Sequence, residues 1–135
     1  GADRFLAPAP SAALVNGLLE LIATHAGPGD TLAVLPEGSL LNCLSRRANP
    51  TPYTSVMPPE AIVFGEPAIL AAYQSRPPDL VAVLPRDLSE YGRAGFGQDH
   101  LVGLWEWLTR NYEQVAVVSA GQADERALLL RRKPE

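Results

Sequence analysis

The stretch TLAVLPEG at residues 31–38 sets the fold class, together with a near copy, LVAVLPRD, at residues 80–87. Both begin with a continuous apolar run and lack the alternation of apolar and polar residues found in half-exposed strands. Such runs are typical of strands that are covered on both faces, as in parallel sheets. A third run, VAVV at residues 115–118, has the same character. We therefore predict a sheet of three buried strands.

Helical patterns separate these strands. Leu14, Leu18 and Ile22 recur at helical spacing after Ser11, which is a good N-cap, and Gly27-Pro28-Gly29 ends the pattern. We predict further helices over 39–47, 66–75 and 99–112. Strands that alternate with helices predict an α/β fold, here a three-layer sandwich with a small, mainly parallel sheet.

The two ends of the chain need separate interpretation. Residues 127–131 predict a fourth strand, paired antiparallel with the third through a turn at 121–125, at an edge of the sheet. Residues 1–10 contain Pro8 and Pro10 and predict a lead-in segment, which leaves one α/β domain over 11–135. Because the chain begins with Gly1 and not with methionine, we expect a domain excised from a longer protein.

Composition excludes several classes of function. The 135 residues suit one domain, and 47% apolar against 19% charged residues is the composition of a folded protein. A net charge of -4 argues against general affinity for nucleic acid. With one cysteine, Cys43, no internal disulfide forms, and His25 and His100 are too far apart in sequence to complete a zinc set with it. We expect no metal and no cofactor.

Two irregular stretches are the most informative for function. The first, 48–60, is rich in proline, and the second, 87–98, contains three glycines. Both are expected near the carboxyl ends of strands, where open α/β sheets bind their ligands. Long irregular loops inside a compact domain are uncommon unless they have a function.

The first candidate site lies where the first strand turns into a helix. Glu37 and Gly38 form the turn, and Ser39, Asn42 and Arg46 follow at spacings that share one side of a helix. Free backbone N–H groups at this turn would add affinity for an anion. The alternative is that Glu37 complements the helix dipole while Asn42 and Arg46 face solvent.

A second polar group continues from the first. Arg46, Arg47, Asn49, Thr51 and Tyr53 combine cations that suit phosphate or carboxylate with a ring that suits a sugar or a partner surface. The alternative is structural, because Asn-Pro and Thr-Pro pairs form ordinary turns and arginines stabilise helix C-termini.

The glycine-containing loop carries a third group, Asp87, Glu90 and Tyr91. The glycine order at 92–97 is GxxGxG and not the GxGxxG of dinucleotide-binding loops, and it lies several residues beyond its strand. A lid that bears Asp87, Glu90 and Tyr91 is the better functional interpretation. The alternative is that these acids are merely solvated.

The stretches at 35–60 (LPEGSLLNCLSRRANPTPYTSVMPPE) and 77–97 (PPDLVAVLPRDLSEYGRAGFG) resemble a known family. They are similar to the soluble C-terminal region of bacterial family 39 membrane glycosyltransferases, of the protein O-mannosyltransferase-like type. In that family a strand ending in Pro-Glu-Gly leads into a short helix and then an Arg-x-Asn-Pro-Thr segment. The positions here that match it are Glu37, Gly38, Asn42, Arg46, Asn49, Pro50, Thr51 and Tyr53.

The resemblance implies an accessory domain on the extracytoplasmic face of the bacterial inner membrane, within an enzyme that uses a polyprenyl-phosphate-sugar donor. Its partners would be the transmembrane region of its own parent chain and a glycan or polyprenyl-phosphate head group. The family's catalytic acid lies between transmembrane helices, so no catalytic residue carries over to this chain. Two alternatives stay open: a free-standing domain that binds a small molecule or sugar phosphate, and a small enzyme built on Asp87, Glu90 and Tyr91.

Overall fold

The computed structural model of the chain describes residues 9–119 and 126–134. Within these ranges the fold is mixed α/β, with a four-stranded sheet and five α-helices. The elements follow one another as α1 (Ala9–His25), β1 (Leu32–Leu35), α2 (Ser39–Ser45), α3 (Pro58–Phe64), α4 (Glu66–Ser75), β2 (Leu80–Val83), α5 (Val102–Asn111), β3 (Tyr112–Ser119) and β4 (Arg126–Arg132).

The sheet is mixed, and the prediction of a mainly parallel sheet is wrong. Its strand order is β1-β2-β4-β3. β1 and β2 pair in parallel, whereas β4 pairs antiparallel with both β2 and β3. The predicted antiparallel pairing of the third and fourth strands is therefore confirmed, but the predicted edge position of the fourth strand is wrong. The predicted turn at 121–125 lies outside the described residues.

Burial explains why β4 and not β3 takes the inner position. Ala127, Leu129 and Leu130 of β4 are buried. β3 is mostly exposed or half-buried, and Glu113 and Gln114 face solvent. Placing the more apolar strand between two neighbours removes more apolar surface from water, so the polar strand is left at the edge.

Alternate strand residues enter two separate core clusters, as expected for side chains that point to opposite faces of a sheet. One cluster combines Leu32, Leu80 and Leu129 with residues of α1 and with Leu41 of α2. The other combines strand residues such as Leu35 and Val81 with residues of α3, α4 and α5.

Several helix boundaries differ from the prediction. α1 begins at Ala9, so Pro10 lies within its first turn, where proline is tolerated. α2 ends at Ser45 because Arg46 adopts a left-handed conformation, with φ of 58°. Leu101 is left-handed as well, with φ of 53°, so α5 begins at Val102. The predicted helix over 66–75 is confirmed as α4.

Helix α3 was not predicted. It overlaps the end of the stretch 48–60, which was predicted to be irregular. Its first two residues are prolines, Pro58 and Pro59. Proline is favoured at this position, since its missing N–H would have no partner there. None of the helices in the described ranges is both long enough and apolar enough to span a membrane.

Candidate functional site

The ends of three strands meet at one edge of the sheet. The parallel strands β1 and β2 end there, and the antiparallel strand β4 begins there. An open cavity of about 610 Å³ lies at this edge and receives residues from the end of β2, from the loop that follows it and from the start of β4. We call it the carboxyl-edge groove. Its walls include Leu84, Arg86, Asp87, Phe96, Gln98 and Arg126.

The turn after β1 closes one side of this edge. Gly38 has φ of 154°, and a β-carbon there would lie 2.5 Å from Cγ1 of Val34 and 2.9 Å from Cδ1 of Leu84. The chain can therefore turn tightly against β2 only with glycine at this position. The sequence prediction of a tight strand-to-helix turn at Gly38 is confirmed.

Glu37 links the segments on either side of this turn. Its Oε1 lies 3.6 Å from Nε of Arg86, and its backbone forms an isolated antiparallel bridge with Ser55. The Ser55 hydroxyl donates its hydrogen bond to the Glu60 carboxylate and lies 3.5 Å from the other Glu37 oxygen. Glu37 thus forms an ion pair with Arg86, which lines the groove.

The side chains around the groove differ in chemistry. Arg86 and Arg126 come from different strand ends, and Asp87 brings a carboxylate. Hydrogen bonds from the Ser89 side chain and backbone N–H lower the pKa of Asp87, so it is an anion at neutral pH. Phe96 contributes an aromatic ring whose edge packs on Trp105, with the ring centroids 5.7 Å apart.

The loop after β2 is held by its own contacts. The Asp99 carboxylate accepts hydrogen bonds from the backbone N–H groups of Ala94 and Gly95, and these bonds lower its pKa. Arg93 donates to the Asp99 carbonyl at 3.0 Å. A β-carbon on Gly97 would lie 2.7 Å from Trp105. These contacts fix the segment that presents Phe96 and Gln98 to the groove.

Asn42 and Arg47, both predicted to bind ligand, contact the protein's own backbone. The Asn42 amide donates to the Leu32 carbonyl at 2.7 Å and to the Arg47 carbonyl at 2.9 Å. The Arg47 guanidinium donates to the carbonyls of Gly27 and Asp30 at 2.9 and 3.0 Å. Both side chains hold α2 and the segment after it against the start of β1.

Asn49, Thr51 and Tyr53 form a turn of their own. The Asn49 side-chain oxygen accepts from the Thr51 backbone N–H and hydroxyl, each at 2.9 Å, and its amide donates to the Tyr53 carbonyl. Thr51 is buried and lies beside the phenol of Tyr73, whose pKa is raised by burial. The Tyr53 ring packs against Phe64 with centroids 5.1 Å apart.

The remaining predicted residues are exposed. Ser39 begins α2, and Arg46 lies beyond its end, so Ser39, Asn42 and Arg46 do not share one continuous helical face. Glu90 and Tyr91 lie on a short 3₁₀ turn, Ser89–Tyr91. The charge of Glu90, with smaller effects of burial and of Glu60 and Glu37, raises the pKa of Tyr91. Tyr91 therefore lies near three carboxylates.

The sequence prediction missed Arg86, Phe96, Gln98 and Arg126 as site residues. Arg86 had a detectable signal, because it directly follows the apolar run of β2. Arg126 had none, since its place at the groove depends on the insertion of β4 beside β2. In the described part of the chain, no three histidine, cysteine or acidic side chains are arranged to hold a metal ion.

Comparison with protein-family models, with curated proteins and with solved structures finds no match to this chain.

Proposed function

We propose that this chain is a recognition domain that binds the sugar-phosphate portion of a ligand in the carboxyl-edge groove and carries out no chemistry itself. One observation carries the proposal. Two arginines, Arg86 and Arg126, line the same open groove together with an aromatic ring, Phe96, and the amide of Gln98. Arginine binds phosphate through two parallel hydrogen bonds, and an aromatic ring supports the apolar face of a sugar.

The size of the groove supports a small ligand. Its volume of about 610 Å³ lies within the range of roughly 300–1,000 Å³ that is usual for small-molecule sites. Asp87 and Gln98 would accept hydrogen bonds from sugar hydroxyl groups. A role for Asp87 as a general acid has less support, because such a group needs a raised pKa and the pKa of Asp87 is lowered.

The resemblance of residues 35–60 and 77–97 to family 39 glycosyltransferases supplies the wider proposal. The domain would belong to a bacterial membrane enzyme with a polyprenyl-phosphate-sugar donor and lie on the extracytoplasmic face of the inner membrane. It would recognise donor or acceptor, or pack against the transmembrane region of its parent chain. Asn42, Arg47 and Asn49 would then have a structural role, since their side chains bond to backbone carbonyls.

We also propose a three-layer arrangement, with helices on both faces of the sheet. Its support is the division of the core into two clusters, one containing residues of α1 and α2 and the other residues of α3, α4 and α5.

A titration followed by amide chemical shifts tests the binding proposal. Mannose 1-phosphate, glucose 1-phosphate and a short-chain polyprenyl phosphate serve as probes. We expect saturable shifts at residues 83–98 and 126–128, which are lost in Arg126→Ala and reduced in Arg86→Ala. Arg76→Ala is the matched control, because Arg76 is exposed at the end of α4, away from the groove-lining residues.

Each outcome has a distinct meaning. Shifts that persist in Arg126→Ala, or that also disappear in Arg76→Ala, would contradict binding in the groove. Absence of shifts at millimolar probe would contradict the proposal that this chain binds a sugar phosphate directly. Packing against the transmembrane region of a parent enzyme would then be the better proposal.

A further inference from the structure

Helix α3 exposes three consecutive large apolar side chains. The exposed fractions are 81% for Ile62, 77% for Val63 and 49% for Phe64. The helix buries only Pro58 and Ala61 on its inner side. Scattered single apolar residues are normal at a surface, but large exposed apolar side chains next to one another are typical of interaction sites. We call Ile62, Val63 and Phe64 the α3 patch.

The fold does not need Ile62 and Val63 to form this helix. Two prolines open α3, and the N–H of Gly65 closes it on the Ala61 carbonyl at 2.8 Å. The Ser55 hydroxyl bonds to Glu60 and ties the helix to the preceding segment. The inner face and these end contacts hold α3, and Phe64 also packs against Tyr53. Ile62 and Val63, the most exposed of the three, are therefore available to contact another molecule.

Acidic side chains accompany the α3 patch. Glu60 lies one turn before Phe64, and Glu66 follows in the first turn of α4. The charges of Glu60, Glu37 and Glu90 all act on exposed Tyr91, so these three carboxylates lie near that ring. Of these carboxylates, Glu37 forms an ion pair with Arg86 in the described ranges. Two carboxylates, Glu60 and Glu66, therefore flank the α3 patch along the chain.

From this combination we propose that the α3 patch docks a protein surface that is apolar at its centre and carries lysine or arginine around it, such as a basic amphipathic helix. An apolar centre would bury Ile62 and Val63, and basic groups would face the carboxylates around them. The same carboxylates oppose binding to an anionic lipid surface. This surface is separate from the carboxyl-edge groove and does not depend on the function proposed for it.

Two matched peptides test the proposal on the whole chain. One is a short amphipathic helix of leucine and lysine, and the other has glutamate in place of every lysine. We expect the lysine peptide to give saturable amide shifts at residues 58–66 and the glutamate peptide to give none. Ile62→Ser and Val63→Ser should each weaken binding about tenfold or more, as expected for the loss of one buried apolar side chain. Glu66→Gln should weaken binding of the lysine peptide by a smaller factor. Added salt should also weaken this binding, because it screens the attraction between lysine and carboxylate.

The controls separate this surface from others. Val117→Ser changes an exposed apolar residue on β3 and should leave binding unchanged. Equal binding of both peptides, or shifts confined to residues outside 58–66, would overturn the proposal. So would shifts of the α3 patch caused by zwitterionic lipid vesicles but not by the lysine peptide, which would identify a lipid surface. Concentration-dependent dimerisation abolished by Val63→Ser would identify a second copy of the chain instead.

Discussion

At the scale of single residues, Gly38 determines how closely the turn after β1 packs against Val34 and Leu84. Gly38→Ala would place a β-carbon 2.5 Å from Cγ1 of Val34, at a backbone φ of 154° that L-residues rarely adopt. Overpacking and backbone strain each cost about 1–3 kcal/mol, so we expect a loss of about 3 kcal/mol in the free energy of unfolding. Urea denaturation measures it.

Gly29→Ala is the matched control for this substitution. Gly29 has a positive φ of 78°, but nothing lies within 4 Å of a β-carbon built there. We expect the loss from conformational strain alone, about 1–2 kcal/mol. Equal losses in the two variants would show that the close approach at Val34 and Leu84 adds nothing.

Asp30 makes stability depend on pH. Its carboxylate accepts from the Gly27 N–H at 2.7 Å and from Arg131 at 3.2 Å, and the Gly27 bond is the main cause of its lowered pKa. A lowered pKa means that the stabilisation is complete above the unfolded value of about 3.9 and is lost as pH falls below it.

We therefore expect Asp30→Asn to lower the free energy of unfolding by about 1–2 kcal/mol at pH 7. The neutral amide accepts more weakly than the carboxylate from the Gly27 N–H and from Arg131. The difference from the unsubstituted protein should shrink as pH falls below about 4, where the carboxylate of the unfolded chain becomes protonated, and disappear below the lowered pKa of the native carboxylate. Urea unfolding at both pH values measures it. A difference that is the same at pH 3 and pH 7 would contradict this role.

The candidate binding residues show where reasoning from sequence stops. Asn42 and Arg47 have the chemistry of ligand-binding groups, and the sequence predicted them as such. Their acceptors are the carbonyls of Leu32 and Gly27, ten and twenty residues earlier in the chain. Nothing local indicates that these carbonyls come within reach, because their positions depend on how α1 and α2 pack at β1. A polar side chain's partner is a property of the fold.

At the scale of elements, the position of β4 inside the sheet leads to a direct test. Leu129 is fully buried in β4, whereas Val117 on β3 is 43% exposed. We expect Leu129→Ala to lower the free energy of unfolding by about 2–5 kcal/mol, since it leaves a cavity in the core. Val117→Ala should lower it by less than about 1 kcal/mol. Chemical denaturation of both variants measures the contrast, and similar losses would argue against the inner position of β4.

Elements with strong periodicity or continuous apolar runs were predictable. The apolar stretches of β1 and β2 and the pattern of α4 led to correct elements, because each carries its signal within its own residues. Helix α3 was not predicted because Pro58-Pro59 is typical of a turn, although proline is also favoured in the first turn of helices. The direction of β4 was predicted through its hairpin with β3. Its place beside β2 depends on competition between strands for burial, which no single segment reveals.

At the scale of the whole molecule, the groove depends on this strand order. Arg86 and Arg126 are forty positions apart in sequence and line one cavity because β2 and β4 are neighbours. A strictly parallel sheet would have placed the start of the fourth strand at the opposite edge. The expectation that ligands bind at the carboxyl ends of strands leads to the same edge of the sheet as the groove, and the antiparallel strand supplies part of the groove wall.

The shared sheet also predicts how the molecule unfolds. Trp105 and Trp107 pack against one core cluster, while fully buried Leu18 of α1 belongs to the other. Because every strand contributes to the sheet between them, we expect Leu18→Ala to shift the tryptophan-fluorescence and circular-dichroism midpoints together, with a loss of about 2–5 kcal/mol. Leu108→Ala, in the cluster next to the tryptophans, should behave in the same way. If Leu18→Ala moved only the circular-dichroism transition, the two clusters would unfold separately, and the sheet would not couple the groove to the α1 side of the domain.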